Sequence, residues 1–518
     1  MKPVSRTLFL ECLLATLLGI ALLHWYSGGL AGLFSGQLMV ASDYPNSAAA
    51  HTFYLNDRWR WPLGQNPMFG GGNLYFSDTA PWFSLLAKVL QQTVGITLPF
   101  ESLLVINQGL LGLFALLLIR QVSDHRPSQW LFVLLISANL ITPTRMLGAQ
   151  HIALAGNWVI VWACALALNS KDSAGKTCAL SVLACSMAWL THAYLGVMAS
   201  GILALALVMR KQWLAALLSQ LVPLALLAAF GVFHAPYQLA QGAAGTGIDL
   251  AAFVQSLNWG ISGYAYAVNE PWQKDALVYL GTGSLAIGVL ALIHYKKMAT
   301  AAYPSPHINW QSLPPLLAPA LLLAIIATAG EVRILGQHLA TTPLQEWLAP
   351  IYQRFRVAGR FAIPLALVLI LLATLLWQSR TAGSKRWWAG ALLAAALQLA
   401  DLWHATPHAS HRHPQLQEQA RQQQQALQRV LDGQPWSRFV YSELPAELLA
   451  EQRLLDGLLA QRGARYISRT LQARQDSAAT PALPPPAGSP SLYLLPRADR
   501  QSCLHADNTH PHIRLCLR

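Results

Sequence analysis

Two carboxylates frame a long polar stretch over residues 41–82: Asp43 in Ser42-Asp43-Tyr44-Pro45 and Asp78 in Phe76-Ser77-Asp78-Thr79-Ala80-Pro81. A carboxylate at the edge of an apolar region can take a proton from an attacking hydroxyl when partial burial tunes its pKa. The bland alternative for Asp43 is a helix cap or a solvated loop charge, and taken alone it fits that better. Asp78 stands where a helix N-cap is expected, so a structural role comes first for it, with metal or substrate binding second. Between them lie His51, Asp57, Arg58, Arg60, the aromatics Trp59, Trp61 and Tyr75, and Gly70–Gly72. A mere connector would be far shorter, and loops of this length and composition usually carry a binding surface.

Arginines form the second set. Arg145 sits in TPTRMLGAQH, Arg333 in GEVRILG, and Arg354, Arg356 and Arg360 in YQRFRVAGRF. A guanidinium fork matches phosphate oxygens. Snorkelling to lipid headgroups, or pairing with Glu331 and Glu346, explains any single one as well. For the 354–360 cluster a phosphate site is the expected role. His151 and His192 stand at helix ends; singly, each reads as a satisfied interfacial histidine.

Composition fixes what must hold these residues. Of 518 residues, 54% are hydrophobic and 11% charged, against about 25% charged in soluble domains. The apolar residues form long blocks, as in a polytopic membrane protein. The net charge of +13 is spread over block ends and the tail, with no basic stripe, which argues against nucleic acid. Six cysteines show no metal spacing; Cys503 and Cys516 lie in the tail and can pair if it is outside the cytoplasm. The N-terminus looks like an uncleaved anchor.

Eleven segments qualify as spans: 8–26, 101–119, 129–143, 151–168, 177–191, 193–209, 213–233, 276–295, 313–330, 359–379 and 387–404. The pair 177–209 is tight for two. Seven of the nine lysines fall on the side that carries the N-terminus, which predicts a cytoplasmic N-terminus and outward loops at 41–82, 235–275 and 331–358. Segment 83–98, with Lys88, Gln91 and Gln92, reads as a helix along the outer interface. The expected fold is mainly α, with about eleven membrane helices over 1–404 and a long first outer loop at 27–100. A linker and polar helix follow at 405–432. A small extracytoplasmic α/β domain at 433–518 closes the chain, with strands near 438–442 and 464–471 flanking a helix at 446–462.

No P-loop, HExxH motif or nucleophile elbow is present. An outward carboxylate, arginines at the lipid boundary and aromatic loops suit a transferase whose donor is a sugar on a polyprenyl phosphate. The acceptor would be a glycan, lipid or protein. A divalent metal is compatible with this set and not required by it. The stretches 42–88, RMLGAQHIALAGNWVIVWAC, WLTHAYLGVM and FRVAGRFAIPL, with LQLADL more weakly, resemble bacterial polytopic proteins of unknown function described as GT-C-fold glycosyltransferase-like. The resemblance implies that fold, an inner-membrane location, and Asp43 as the acidic residue of the first outer loop. It departs at Asn157-Trp158, where similar sequences have His-Trp. A transporter or flippase of lipid-linked glycans, and a non-catalytic assembly protein, are the competing readings.

Overall fold

The computed structural model describes residues 6–34, 44–66, 72–148, 151–169, 171–234, 247–256, 260–261, 276–297, 308–355, 357–411, positions 418, 422 and 425, and five strands of the tail. The first helices are α1 (Arg6–Tyr26), α2 (Leu30–Phe34), α3 (Tyr44–Asn56), α4 (Pro81–Val94), α5 (Ser102–Ile119) and α6 (Arg126–Ser137). There follow α7 (Ile141–Pro143), α8 (Trp158–Leu168), α9 (Ala174–Thr191), α10 (Ala193–Met209), α11 (Trp213–Ala229) and α12 (Thr282–Lys297). The last are α13 (Pro314–Ala327), α14 (Leu344–Trp347), α15 (Ala349–Arg354), α16 (Ile363–Thr381) and α17 (Lys385–His411).

The protein is mainly helical, and each of the eleven apolar segments contains a helix. Among the described residues, three stretches are long and apolar enough to cross a bilayer: Arg6–Tyr26, Ser102–Ile119 and Ala358–Thr381. Shorter apolar helices accompany them. Several helices leave an apolar stripe uncovered, such as Phe9, Leu10, Leu13, Leu14 and Leu17 on α1 and Leu214, Leu217, Leu221 and Leu224 on α11. Such stripes are rare in water and normal against lipid.

Small residues let the central helices touch. A Cβ at Gly19 would meet the Gln108 carbonyl, and one at Gly112 would meet that of Ala15, so α1 and α5 pack backbone to backbone. Glu11 pairs with Arg120 at the far end of the same contact.

Helix α6 stops inside the bundle, where its last carbonyls have no water. Side chains answer them: Gln108 Nε2 donates to Ser137 O at 2.7 Å and Gln398 Nε2 to Ala138 O at 3.2 Å. Asn139 Nδ2 donates to Tyr279 O and Leu280 O, both at 3.0 Å. Asp401 of α17 is fully buried and accepts from Ile261 N, Thr282 N, Thr282 Oγ1 and Tyr279 Oη, which pins the start of α12.

The structure differs from the expectations at three places. The 151–168 helix starts only at Trp158; residues 151–157 form tight turns, and Gly156 sits so close to Thr191 that a Cβ would lie 2.8 Å from its Cγ2. The 177–209 region is, as expected, two helices, and they turn on His192 alone, extended at φ −167°. The stretch after residue 43 is no open loop: α3 buries Phe53, Tyr54 and His51. After it, β1 (Gln65–Asn66) pairs with β2 (Gly72–Asn73), and a 3-10 turn follows at Leu74–Ser77. Segment 331–358, expected as a loop, begins with a hairpin of β3 (Glu331–Ile334) and β4 (Gln337–Thr341).

In the tail, β5 (Phe439–Ser442), β6 (Tyr466–Ile467), β7 (Leu492–Pro496), β8 (His505–Asp507) and β9 (Ile513–Leu517) form one mixed sheet in the order β6-β5-β7-β9-β8. Strand β8 has no counterpart in the sequence reading. The helix expected at 446–462 lies outside the described residues, as does most of the polar helix at 415–432.

Candidate functional site

Asp78 ends the 3-10 turn in a left-handed conformation, φ 54°, and Ala80 repeats it at φ 49°. Two non-glycine residues held this way cost about 1 kcal/mol or more each. Ser77 and Thr79 hydroxyls hold the turn by donating to Leu74 O at 2.8 and 3.0 Å. Asp78 does not cap α4: the N-cap position falls on Ala80, which makes no side-chain cap bond. The kinked backbone turns the carboxylate inward instead.

There the carboxylate meets two imidazoles. His151 Nδ1 lies 3.6 Å from Oδ2, and His192 Nε2 lies 3.6 Å from Oδ1. Both carboxylate oxygens are shielded from solvent and accept no hydrogen bond among the described residues. Buried acceptors are nearly always satisfied. Both oxygens can therefore accept a hydrogen bond from a group placed between the two imidazoles.

The convergence has identifiable causes. Trp82, in the first turn of α4, donates from Nε1 to Thr191 Oγ1 at 2.9 Å, which docks α4 on the last turn of α9. His192 follows directly and caps α10, its Nδ1 accepting from Tyr194 N at 3.2 Å. That acceptance leaves the proton of a neutral ring on Nε2, the nitrogen that faces Asp78. His151 is placed by a bond from its backbone N–H to Arg145 O, 3.0 Å, across a π turn at Thr144–Gly148.

Arg360 joins through Tyr194. The Tyr194 ring stacks on His192, with centroids 5.6 Å apart, and the Arg360 guanidinium lies 4.7 Å from the Tyr194 centroid. Tyr194 Oη accepts from Val357 N at 2.9 Å, which ties the 357–361 turn to the start of α10. Phe355 and Phe361 pack on the same ring. Arg145 and Arg360 are both buried.

The other arginines lie elsewhere. Arg333 pairs with Glu331 within β3, its Nε 2.9 Å from Oε2. Arg354 is exposed and donates to Pro350 O at 3.3 Å. Asp43, Arg356 and Cys503 lie outside the described residues, and of Cys516 only the backbone, in β9, is described. Tyr194 and Thr191 were not singled out from sequence, and Trp82 stood out only as one aromatic of the 41–82 stretch. The spacing His192-x-Tyr194 at a helix start was the available signal for Tyr194.

A model of the family described as "Domain of unknown function (DUF6311)" matches residues 12–403. No curated protein and no solved structure matches the chain. The matched span holds every residue of the cluster, and the chain belongs to that family.

Proposed function

We propose that this DUF6311 member is a membrane-embedded glycosyltransferase that moves a sugar from a polyprenyl-phosphate donor to an extracytoplasmic acceptor. The observation that carries the reading is the shielded Asp78 carboxylate, held between His151 and His192 and one residue from the Tyr194–Arg360 contact. In the reaction the acceptor oxygen bonds to the anomeric carbon while the bond from that carbon to the phosphate oxygen breaks. The hydroxyl proton goes to Asp78, and the polyprenyl phosphate leaves with the bonding electrons. His192 Nε2–H and His151 orient the carboxylate. Arg360, beside Tyr194, and Arg145, whose carbonyl holds the His151 backbone, offset the charge that develops on the leaving phosphate. The chain would cross a bacterial inner membrane eleven times, with this site and the tail on the outer side.

A divalent metal does not fit the three side chains well. A metal on His192 Nε2 needs the proton on Nδ1, and Nδ1 already accepts the Tyr194 N–H. Transfer by this cluster is therefore expected to persist after chelator treatment.

The test is transfer by purified protein in lipid, with a panel of polyprenyl-phosphate sugars. Asp78→Asn should lower turnover by about 10²–10⁴-fold, the range for a lost general base, while the variant keeps its melting temperature. Loss in Asp43→Asn with Asp78→Asn unaffected would move the base to Asp43. No turnover with any donor would overturn the transferase in favour of transport or assembly.

A further inference from the structure

The turn that follows α3 exposes residues a water-facing loop would not. Trp59 is 47% exposed and Trp61 71%, with exposed Arg58 beside them. The turn is not loose. Leu63 N donates to Ala229 O at 2.9 Å and Gly64 N to Phe230 O at 3.2 Å, so it is fastened to the outer end of α11. Asn73 Nδ2 adds a third bond, to Phe230 O at 2.7 Å. Lys88 of α4 donates from Nζ to Arg58 O at 3.1 Å and lies 4.3 Å from the Tyr54 ring centroid and 5.1 Å from that of Trp59.

We propose that Arg58, Trp59 and Trp61 form an anchor seated in the outer headgroup layer of the bilayer. Three observations select lipid as the occupant. The turn is bonded to the end of α11, the helix with the uncovered leucine stripe, and Phe233, just beyond that helix, is 61% exposed. On α4, tied to the turn by Lys88, Leu86 and Val89 are exposed one helical turn apart. Charge is complementary: Arg60 is committed to Asp57, which leaves Arg58 as the exposed cation, and a cation beside indole rings suits phosphate headgroups. Apolar stripe, aromatic pair and cation thus belong to elements fastened together, the combination of groups a membrane boundary takes.

The consequence reaches the carboxylate. Leu74 N donates to Gly64 O at 2.8 Å, so the 3-10 turn that ends in Asp78 hangs from the anchor. The anchor fixes that carboxylate near headgroup depth, whatever reaction it performs.

The experiment uses the full chain in nanodiscs of phosphatidylethanolamine and phosphatidylglycerol. A nitroxide is placed at Trp61→Cys and, separately, at Val89→Cys, with exposed Lys171→Cys as a water-phase reference and the native cysteines' signal subtracted. Power saturation is read with oxygen and with a water-soluble nickel chelate. The expected result is nickel collision several-fold below that at position 171, with oxygen collision retained, at both sites. Nickel collision equal to the reference at both sites would place the turn in water and overturn the proposal. Low collision with both reagents would mean burial against protein, such as a second copy, and overturn it equally.

Discussion

At the scale of single residues, the histidines divide by what their nitrogens meet. His192 and His151 face a carboxylate, whereas His51 is spent on structure. Its Nδ1 lies 2.9 Å from Ser84 Oγ and its Nε2 3.1 Å from Leu98 O, and the ring stacks on Phe83. A carbonyl only accepts, so Nε2 carries the proton and Nδ1 accepts from the serine, which makes the neutral ring complete as it stands. Burial pushes its pKa down from 6.5 to about 4. The unfolded chain therefore binds a proton that the folded protein refuses as pH falls from 6.5 towards 4. The stabilisation is whole above pH 6.5 and lost through that window, on the order of 3 kcal/mol. Wild type should lose more melting temperature between pH 7.5 and 4.5 than His51→Gln does. Equal losses would show that His51 is not the acid-sensitive group. Lys88 is the opposite case: burial pushes its amine down to about 8 while Asp57 pulls it back up, so its ammonium is held by the Arg58 carbonyl and two aromatic faces.

At the scale of elements, the bundle depends on side chains that finish helix ends in places without water. Asp401 is the clearest, since one carboxylate accepts two backbone N–H groups and two hydroxyls around the first turn of α12. A negative charge at a helix start is also favoured by the helix dipole. Asp401→Leu leaves those donors unpaired at about 1–3 kcal/mol each, and Asp401→Asn turns one oxygen into a donor facing donors. Both should melt below wild type in detergent, the leucine variant further; an unchanged Asp401→Leu would deny the pin. This role was not legible in the sequence, where Asp401 was only a carboxylate near a segment end inside LQLADL. A helix within each of the eleven apolar segments, and the amphipathic α4, were legible, because apolar length and periodicity report helix directly. Helix α3 was not, since YPNSAAAHTFYLN has weak propensity and is held by burial of Phe53 and Tyr54. Asp78, His151, His192 and Arg360 were each noticed for their chemistry, but their meeting depends on contacts such as Trp82–Thr191, 109 residues apart in sequence. Arg333 pairs with Glu331, one of the two partners the sequence offered for a lone arginine.

At the scale of the whole molecule, several polar contacts pair residues that the eleven-span reading assigns to the same side. In the eleven-span reading, Glu11 and Arg120 belong to the inner ends of α1 and α5, and they pair. Arg210, at the inner end of α10, donates to carbonyls at the inner end of α8, Asn169 O among them at 2.7 Å. Ser123 Oγ reaches Gln378 Oε1 of α16 at 2.7 Å on that same side. The bonds of the opposite ends, Trp82 to Thr191, Val357 to Tyr194 and Thr282 to Asp401, all join residues assigned to the outer side. No contact among these links an inner end to an outer one, as a missed or surplus span would require for everything after it. In that reading the tail lies outside: a phosphatase that works only outside the cytoplasm should be active when fused after Arg518 and inactive when fused at Lys171 or Arg210. A cytoplasm-dependent fluorescent reporter should give the reverse at all three points. Activity at Lys171 would invert the bundle and put Asp78 on the cytoplasmic face, where the donor would have to be found among cytoplasmic sugars. Inactivity after Arg518 alone would leave the site outward and require one further crossing beyond α17.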